Sequence, residues 1–148
     1  MNPLNKVETV PSVIWLTGLS GAGKSTIALE LSKQLQKYHI NVCILDGDDL
    51  RSGLNNDLGF TQDARSENIR RTAELCKLLK NQGIIVIAAL ISPLESQRKH
   101  AQSIIGDQFY DVFIDTPFDV CQDRDIKGLY KAASEGKIKH FTGKSSNY

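Results

Sequence analysis

The chain has 148 residues, with 18 Lys+Arg against 17 Asp+Glu, a net charge of +1 and 41% hydrophobic content. This balance excludes a disordered, collagen-like or low-complexity chain, and folding at this size buries roughly 68–70% of the unfolded surface, enough for one core. One domain over residues 1–148 is therefore expected, with 1–11 a loose tail, and near-neutrality offers no broad positive field for nucleic acid.

Val13-Ile14-Trp15-Leu16-Thr17 is a β-branched and aromatic run ending in glycine, read as a first strand. From Lys24 to Tyr38, Ile27, Leu31 and Leu35 fall four apart, which predicts a helix with those three on its buried face. Val42 to Leu45 is a second strand, stopped by Asp46-Gly47-Asp48, and a stretch rich in turn residues runs on to Asp63. Ile69, Ala73, Cys76 and Leu79 then mark a long amphipathic helix that ends near Asn81-Gln82-Gly83, with the glycine as C-cap. Ile84 to Leu90 does not alternate and reads as a strand covered on both faces; Tyr110 to Ile114 is a fourth. Ser92-Pro93-Leu94-Glu95 and Thr116-Pro117-Phe118-Asp119 each predict a helix start with a hydroxyl N-cap, proline at N1 and a carboxylate at N3. Strands separated by helices predict a three-layer α/β fold around a mostly parallel sheet.

Cys43, Cys76 and Cys121 form no CxxC pair and read as buried reduced thiols, and His39, His100 and His140 show no ligand spacing, so no structural metal is expected. The longest apolar run, from Ile84 to Ile91, is too short to span a bilayer, and the N-terminus lacks a signal peptide's pattern. A cytoplasmic location without membrane attachment is expected.

Gly18 to Ser25 fits G-x-x-x-x-G-K-[ST] and sits between the first strand and the first helix. Glycines at this spacing let successive N–H groups converge on phosphate oxygens at a helix N-terminus. Gly18, Ser20, Gly21, Ala22, Gly23, Lys24, Ser25 and Thr26 are thus candidate ATP-binding residues, with Lys24 on the β- and γ-phosphates and Ser25 on Mg²⁺. In such a sheet ligands bind beyond the carboxyl ends of the strands. There the second strand is followed by Asp46, Asp48, Asp49 and Arg51. Carboxylates at this edge can hold Mg²⁺ or orient an attacking hydroxyl, and Arg51 offers a planar fork for an anion; acids decorating a helix start are the alternative reading. Arg65 and Asn68 lie three apart on one helical face, either toward a ligand or as a solvated face. The segments 123–130 and 141–143 have the composition of lid loops over a nucleotide, and equally of any surface loop.

Taken together, GLSGAGKST, LDGDDLR, LGF, RSENIRR, ISP, DIKGLY and FTG, in this order over about Val13 to Gly143, resemble the adenylylsulfate kinase family of P-loop kinases. The resemblance implies transfer of the ATP γ-phosphate to the 3′-hydroxyl of adenosine 5′-phosphosulfate, with Mg²⁺, in sulfate assimilation, usually by a homodimer. It implies catalytic roles at Lys24, Asp48 and Ser92, with Asp48 near the 3′-hydroxyl, and Mg²⁺ ligation by Ser25 and Asp46. Arg51 would meet the acceptor, Phe60 and Phe141 would clamp its adenine, Arg65 and Asn68 would hold its phosphosulfate end and the nucleotide, and Ile91, Ser92 and Lys127 would complete the pocket. Arg124 would lie near the ATP base. Ser92 is the family position for a phosphoserine intermediate, yet its sequence also suits an N-cap, and the N-cap with direct in-line transfer is the reading preferred here. The chain departs from the family at Asp49, commonly asparagine, and at Leu94, commonly aromatic, and family members usually continue past the FTG segment. Two other readings remain: a sister kinase acting on another nucleotide-activated anion, and a nucleotide-binding module without catalysis.

Overall fold

The structure, a computed structural model, describes residues 8–139, 141–143 and 148. Residues 8–11 of the expected tail belong to no regular element; residues 1–7 of that tail, and His140, lie outside the described residues. The elements run β1 (Val13–Thr17), α1 (Lys24–Gln36), β2 (Val42–Asp46), α2 (Gly47–Ser52), α3 (Gln62–Asn81), β3 (Ile85–Ala89), α4 (Glu95–Ile105), β4 (Phe109–Phe113), α5 (Phe118–Arg124) and α6 (Leu129–Ser134). The four strands form one parallel sheet in the order β2-β3-β1-β4, with Val13 opposite both Val86 and Phe109.

The strand side chains divide the core into two layers. Val13 and Trp15 of β1, with Val86 and Ala88 of β3, pack against Ile69, Ala73 and Cys76 of α3 and Ala101 and Ile105 of α4. On the other face Leu16, Ile87 and Ala89 meet Ala28 and the half-buried Leu31 of α1. All five β3 residues are buried, which is why that run does not alternate. Each large apolar side chain taken out of water this way contributes roughly 1.5–3 kcal/mol against the entropy of ordering the chain. A third cluster, built from Ala22, Cys121, Tyr130 and Phe141, joins α5 and α6 to the loop after β1.

Several expectations hold. The long α3 ends in a Schellman turn, with Gly83 N–H donating to Lys80 C=O at 2.9 Å and Ile84 N–H to Leu79 C=O at 3.3 Å. All three cysteines are free thiols; Cys76 and Cys121 are buried as expected, with burial pushing Cys76 up to about 12, whereas Cys43 is only partly buried. Among the described residues no helix is long and apolar enough to cross a membrane.

Others are corrected. The buried face of α1 is Lys24, Ala28 and Ser32 with Leu31 and Leu35 beside it, whereas Ile27 is exposed. The helix also stops at Gln36, two residues before Tyr38. The stretch after Asp46 contains a short helix, α2, capped by the Asp46 side chain, which accepts from Asp48 N–H at 2.9 Å. Strand β4 starts one residue earlier than expected.

Neither expected hydroxyl cap forms. Helix α4 begins at Glu95 with Leu94 as N-cap, and α5 begins at Phe118 with Pro117 as N-cap. The Ser92 hydroxyl instead accepts from Trp15 Nε1 at 3.0 Å, and the Thr116 hydroxyl donates to Ala22 C=O at 2.8 Å. In both cases the hydroxyl's bond is to a partner far along the chain, as acceptor at Ser92 and as donor at Thr116.

Candidate active site

Connections on the two sides of β1 run in opposite directions, so a crevice opens where β1 and β3 end side by side. Thr17 Oγ1 fastens those ends together by donating to Ile91 C=O at 2.6 Å. Above them lies a cleft of about 1080 Å³. Its floor is the loop of residues 18–25, which requires glycine at two places for different reasons. A Cβ on Gly18 would stand 2.9 Å from Ile114 C=O, and Gly23 has φ 105° where the chain turns into α1.

Five consecutive carbonyls of this loop are held by side chains, two by its own Lys24 and three from outside. Lys24 Nζ donates to Gly18 and Leu19 C=O, both at 2.8 Å; the Tyr130 phenol donates to Ser20 C=O at 2.7 Å, Arg124 Nη1 to Gly21 C=O at 3.1 Å, and Thr116 to Ala22 C=O at 2.8 Å. With the carbonyl ends engaged, the loop amides other than those of Gly18 and Ala22, which donate to Ile91 and Leu19 C=O, are the groups available to an anion. Tyr130 and Thr116 were not foreseen as contributors, because nothing in their local sequence marks a partner about a hundred residues away.

Beside the loop, Ser25 Oγ donates to Asp46 Oδ2 at 2.5 Å. Two hard oxygen groups in contact, next to a phosphate-binding loop, suit a Mg²⁺ ion that draws its remaining ligands from phosphate and water. Among the described residues there is no cluster of three or more His, Cys, Asp or Glu side chains that could hold a metal without such help.

The far side of the cleft is built by α2, the loop behind it and the start of α3. Arg51 lies with its guanidinium carbon 4.5 Å from the Phe60 ring centroid and donates to Gly59 C=O at 3.0 Å. Arg65 donates to Phe60 C=O at 3.0 Å and to Thr142 Oγ1 at 2.6 Å, so one side chain links the segments that carry Phe60 and Phe141. Phe60 is exposed; Phe141 is buried edge-on against Tyr130, with ring centroids 4.9 Å apart. Asn68, Ile91 and Ser92 complete this wall, and the Asp48 carboxylate meets the Lys127 ammonium across the opening.

Every residue expected at the site lines this one cleft except Gly18, which lies behind the loop against Ile114. Asp49 is exposed and outside the lining, so its extra charge faces solvent. Ser92 is 3% exposed, with positive φ and its oxygen occupied by the Trp15 N–H.

Lys24 sits well below the ordinary lysine range, at about 8, mainly because it is buried and further because Lys127 is nearby; Asp46 and Asp48 offset only part of this. A bound polyphosphate supplies the missing negative charge and drives Lys24 back to its cationic form. Binding of an ATP analogue at pH 8.5 is therefore expected to take up most of one proton, and affinity to fall as pH rises through about 8. Titration calorimetry in two buffers of different ionisation enthalpy reads this directly; equal heats in both would contradict it.

The sequence profile described as Adenylylsulphate kinase matches residues 10–148. The chain is 52% identical over 136 residues to an adenylyl-sulfate kinase of Clostridium kluyveri, covering 92% of this chain and 68% of that one. It is 51% identical over 140 residues to the bifunctional enzyme NodQ of Rhizobium meliloti, covering 94% of this chain but 22% of that longer protein. In three dimensions it superposes on the Mycobacterium tuberculosis APS kinase CysC, solved in complex with AMPPNP and APS, with a TM-score of 0.90 and 45% identity. That match covers 93% of this chain and 81% of the solved one.

Proposed function

Because the chain belongs to the adenylylsulphate kinase family, whose members are ATP-dependent phosphotransferases, we propose that its cleft aligns MgATP with adenosine 5′-phosphosulfate for direct transfer to the 3′-hydroxyl. The observation that carries this reading is the continuity of the cleft: the phosphate-binding loop and the wall of Asp48, Arg51, Phe60, Arg65, Asn68 and Phe141 face a single cavity.

In this reading the loop amides, Lys24 and Ser25 hold the triphosphate, with Gly18 shaping the loop from behind and Ser20, Gly21, Ala22, Gly23 and Thr26 lining it. Ser25 and Asp46 would hold Mg²⁺, which would supply positive charge against the triphosphate. Arg124, from the end of α5, lies on the ATP side. Phe60 and Phe141 flank the acceptor's adenine, a stacking arrangement that reads the faces of a ring. Arg51, Arg65, Asn68 and Lys127 surround its anionic end.

Asp48 orients the 3′-hydroxyl. That oxygen attacks the γ-phosphorus, the bond from phosphorus to the β,γ-bridging oxygen breaks, and ADP leaves with those electrons while the hydroxyl proton passes toward the Asp48 carboxylate. The burial of Ser92 and its bond from Trp15 favour a supporting role in the loop after β3 over a phosphoserine intermediate. The protein in this reading is one cytoplasmic kinase domain that works as a homodimer.

The test is ADP release with MgATP and adenosine 5′-phosphosulfate as acceptor. Release that depends on this acceptor, with formation of the 3′-phosphorylated product, is expected. Release that depends instead on a cytidine diphosphate conjugate would move the chain to the sister-kinase reading, and no acceptor-dependent release at all would leave only nucleotide binding.

A further inference from the structure

We propose that Asn55 is a positioning residue for acceptor binding, fixing which end of the Asn68 carboxamide faces the cleft. The inference rests on the reading of Asn68 as a contact of the acceptor nucleotide.

Asn55 lies in the loop between α2 and α3 and is completely buried, while Asn68, 5% exposed, sits on α3 and lines the cleft. Asn55 Nδ2 donates to Asn68 Oδ1 at 3.0 Å. A carboxamide has one accepting end and one donating end, so engaging the oxygen leaves the Asn68 NH₂ for the ligand. Sulfate and phosphate oxygens need donors. A reversed amide would aim a lone pair at them.

The loop does not need Asn55 to hold it in place. Arg71 grips both oxygens of Asp57, at 2.7 and 2.9 Å, and Arg51 holds Leu58 and Gly59 through their carbonyls at 3.3 and 3.0 Å. The Asn55 side chain makes no hydrogen bond from its own Oδ1, which is buried. An apolar side chain of that size would avoid the desolvation cost, so the polarity at this position serves the single bond to Asn68.

The experiment measures ADP release against adenosine 5′-phosphosulfate at saturating MgATP for wild type, Asn55→Asp, Asn55→Ala, Asn68→Ala and the double variant Asn55→Ala/Asn68→Ala. A carboxylate at position 55 only accepts and turns the Asn68 amide around. Asn55→Asp is therefore expected to raise the acceptor KM by about tenfold or more and Asn55→Ala by less. Binding of an ATP analogue should stay within about twofold of wild type, since neither residue touches the phosphate-binding loop. In the Asn68→Ala background, removing Asn55 is expected to add nothing.

An unchanged acceptor KM in Asn55→Asp, an equal loss of ATP-analogue binding, or an undiminished Asn55→Ala effect without Asn68 would each overturn the proposal. Should Asn55→Asp not fold, the alanine cycle decides alone. If wild type itself ignores adenosine 5′-phosphosulfate, the functional reading has failed, a result distinct from active wild type with unaffected Asn55 variants.

Discussion

Lys24→Ala is expected to remove nearly all turnover while leaving the fold in place. The ammonium sits at the bottom of the cleft, 9% exposed, against the carbonyls of Gly18 and Leu19, where the triphosphate tail must lie. Charge that develops on the transferring phosphoryl group is met there in a site largely closed to water, which is where a fixed positive charge stabilises a transition state most. A fall in kcat of about a thousandfold corresponds to about 4 kcal/mol of lost transition-state stabilisation.

The fold should survive for a reason equally visible in the site. Burial already opposes the charge on Lys24, so alanine removes a desolvated cation along with its bonds. Of the two carbonyls it leaves, Leu19 C=O still accepts from Ala22 N–H at 3.1 Å. Thermal melting and circular dichroism should match wild type closely. A variant that keeps more than about a tenth of wild-type kcat, under about 1.4 kcal/mol, would contradict the role assigned to Lys24.

The parts of the site that were legible in the sequence are those whose geometry is local. The spacing from Gly18 to Ser25 dictates a loop, and the apolar runs on either side dictate the strand and helix that frame it. Arg65 and Asn68 share a helical face because they lie three positions apart, and Ile69 is turned inward by the same arithmetic.

What was not legible depends on partners distant along the chain. Ser92 and Thr116 each precede a proline near a helix start, the pattern of a cap, but the helices begin later, at Glu95 and Phe118, and the two hydroxyls bond Trp15 Nε1 and Ala22 C=O instead. Tyr130 closes a segment with the composition of a lid or surface loop, and only the structure shows its hydroxyl on Ser20 C=O. Ile27 is spaced for the core, yet the sheet meets α1 along the row of Lys24, Ala28 and Ser32, so small side chains allow the helix to sit close and Ile27 faces out. Helix α2 is six residues long, too short for periodicity to show.

Asp48→Asn carries the second large effect, and it separates chemistry from binding. Asparagine keeps the size of the side chain and can still accept a hydrogen bond, but it cannot take a proton from the attacking 3′-hydroxyl. General-base assistance of this kind is worth about a hundredfold to ten-thousandfold, so kcat should fall by that order. ATP-analogue binding should change little, because Ser25 pairs with Asp46 and not with Asp48. The acceptor KM should stay level or drop: Lys127 loses the carboxylate it meets across the opening, and its charge is freed for the anionic end of the acceptor. Asp49→Asn, one residue along and turned to solvent, should leave all three quantities within about twofold of wild type, as for a surface substitution. If Asp48→Asn raised the acceptor KM and left kcat intact, Asp48 would be a binding group and the alignment of the 3′-hydroxyl would have to come from another side chain of the same wall.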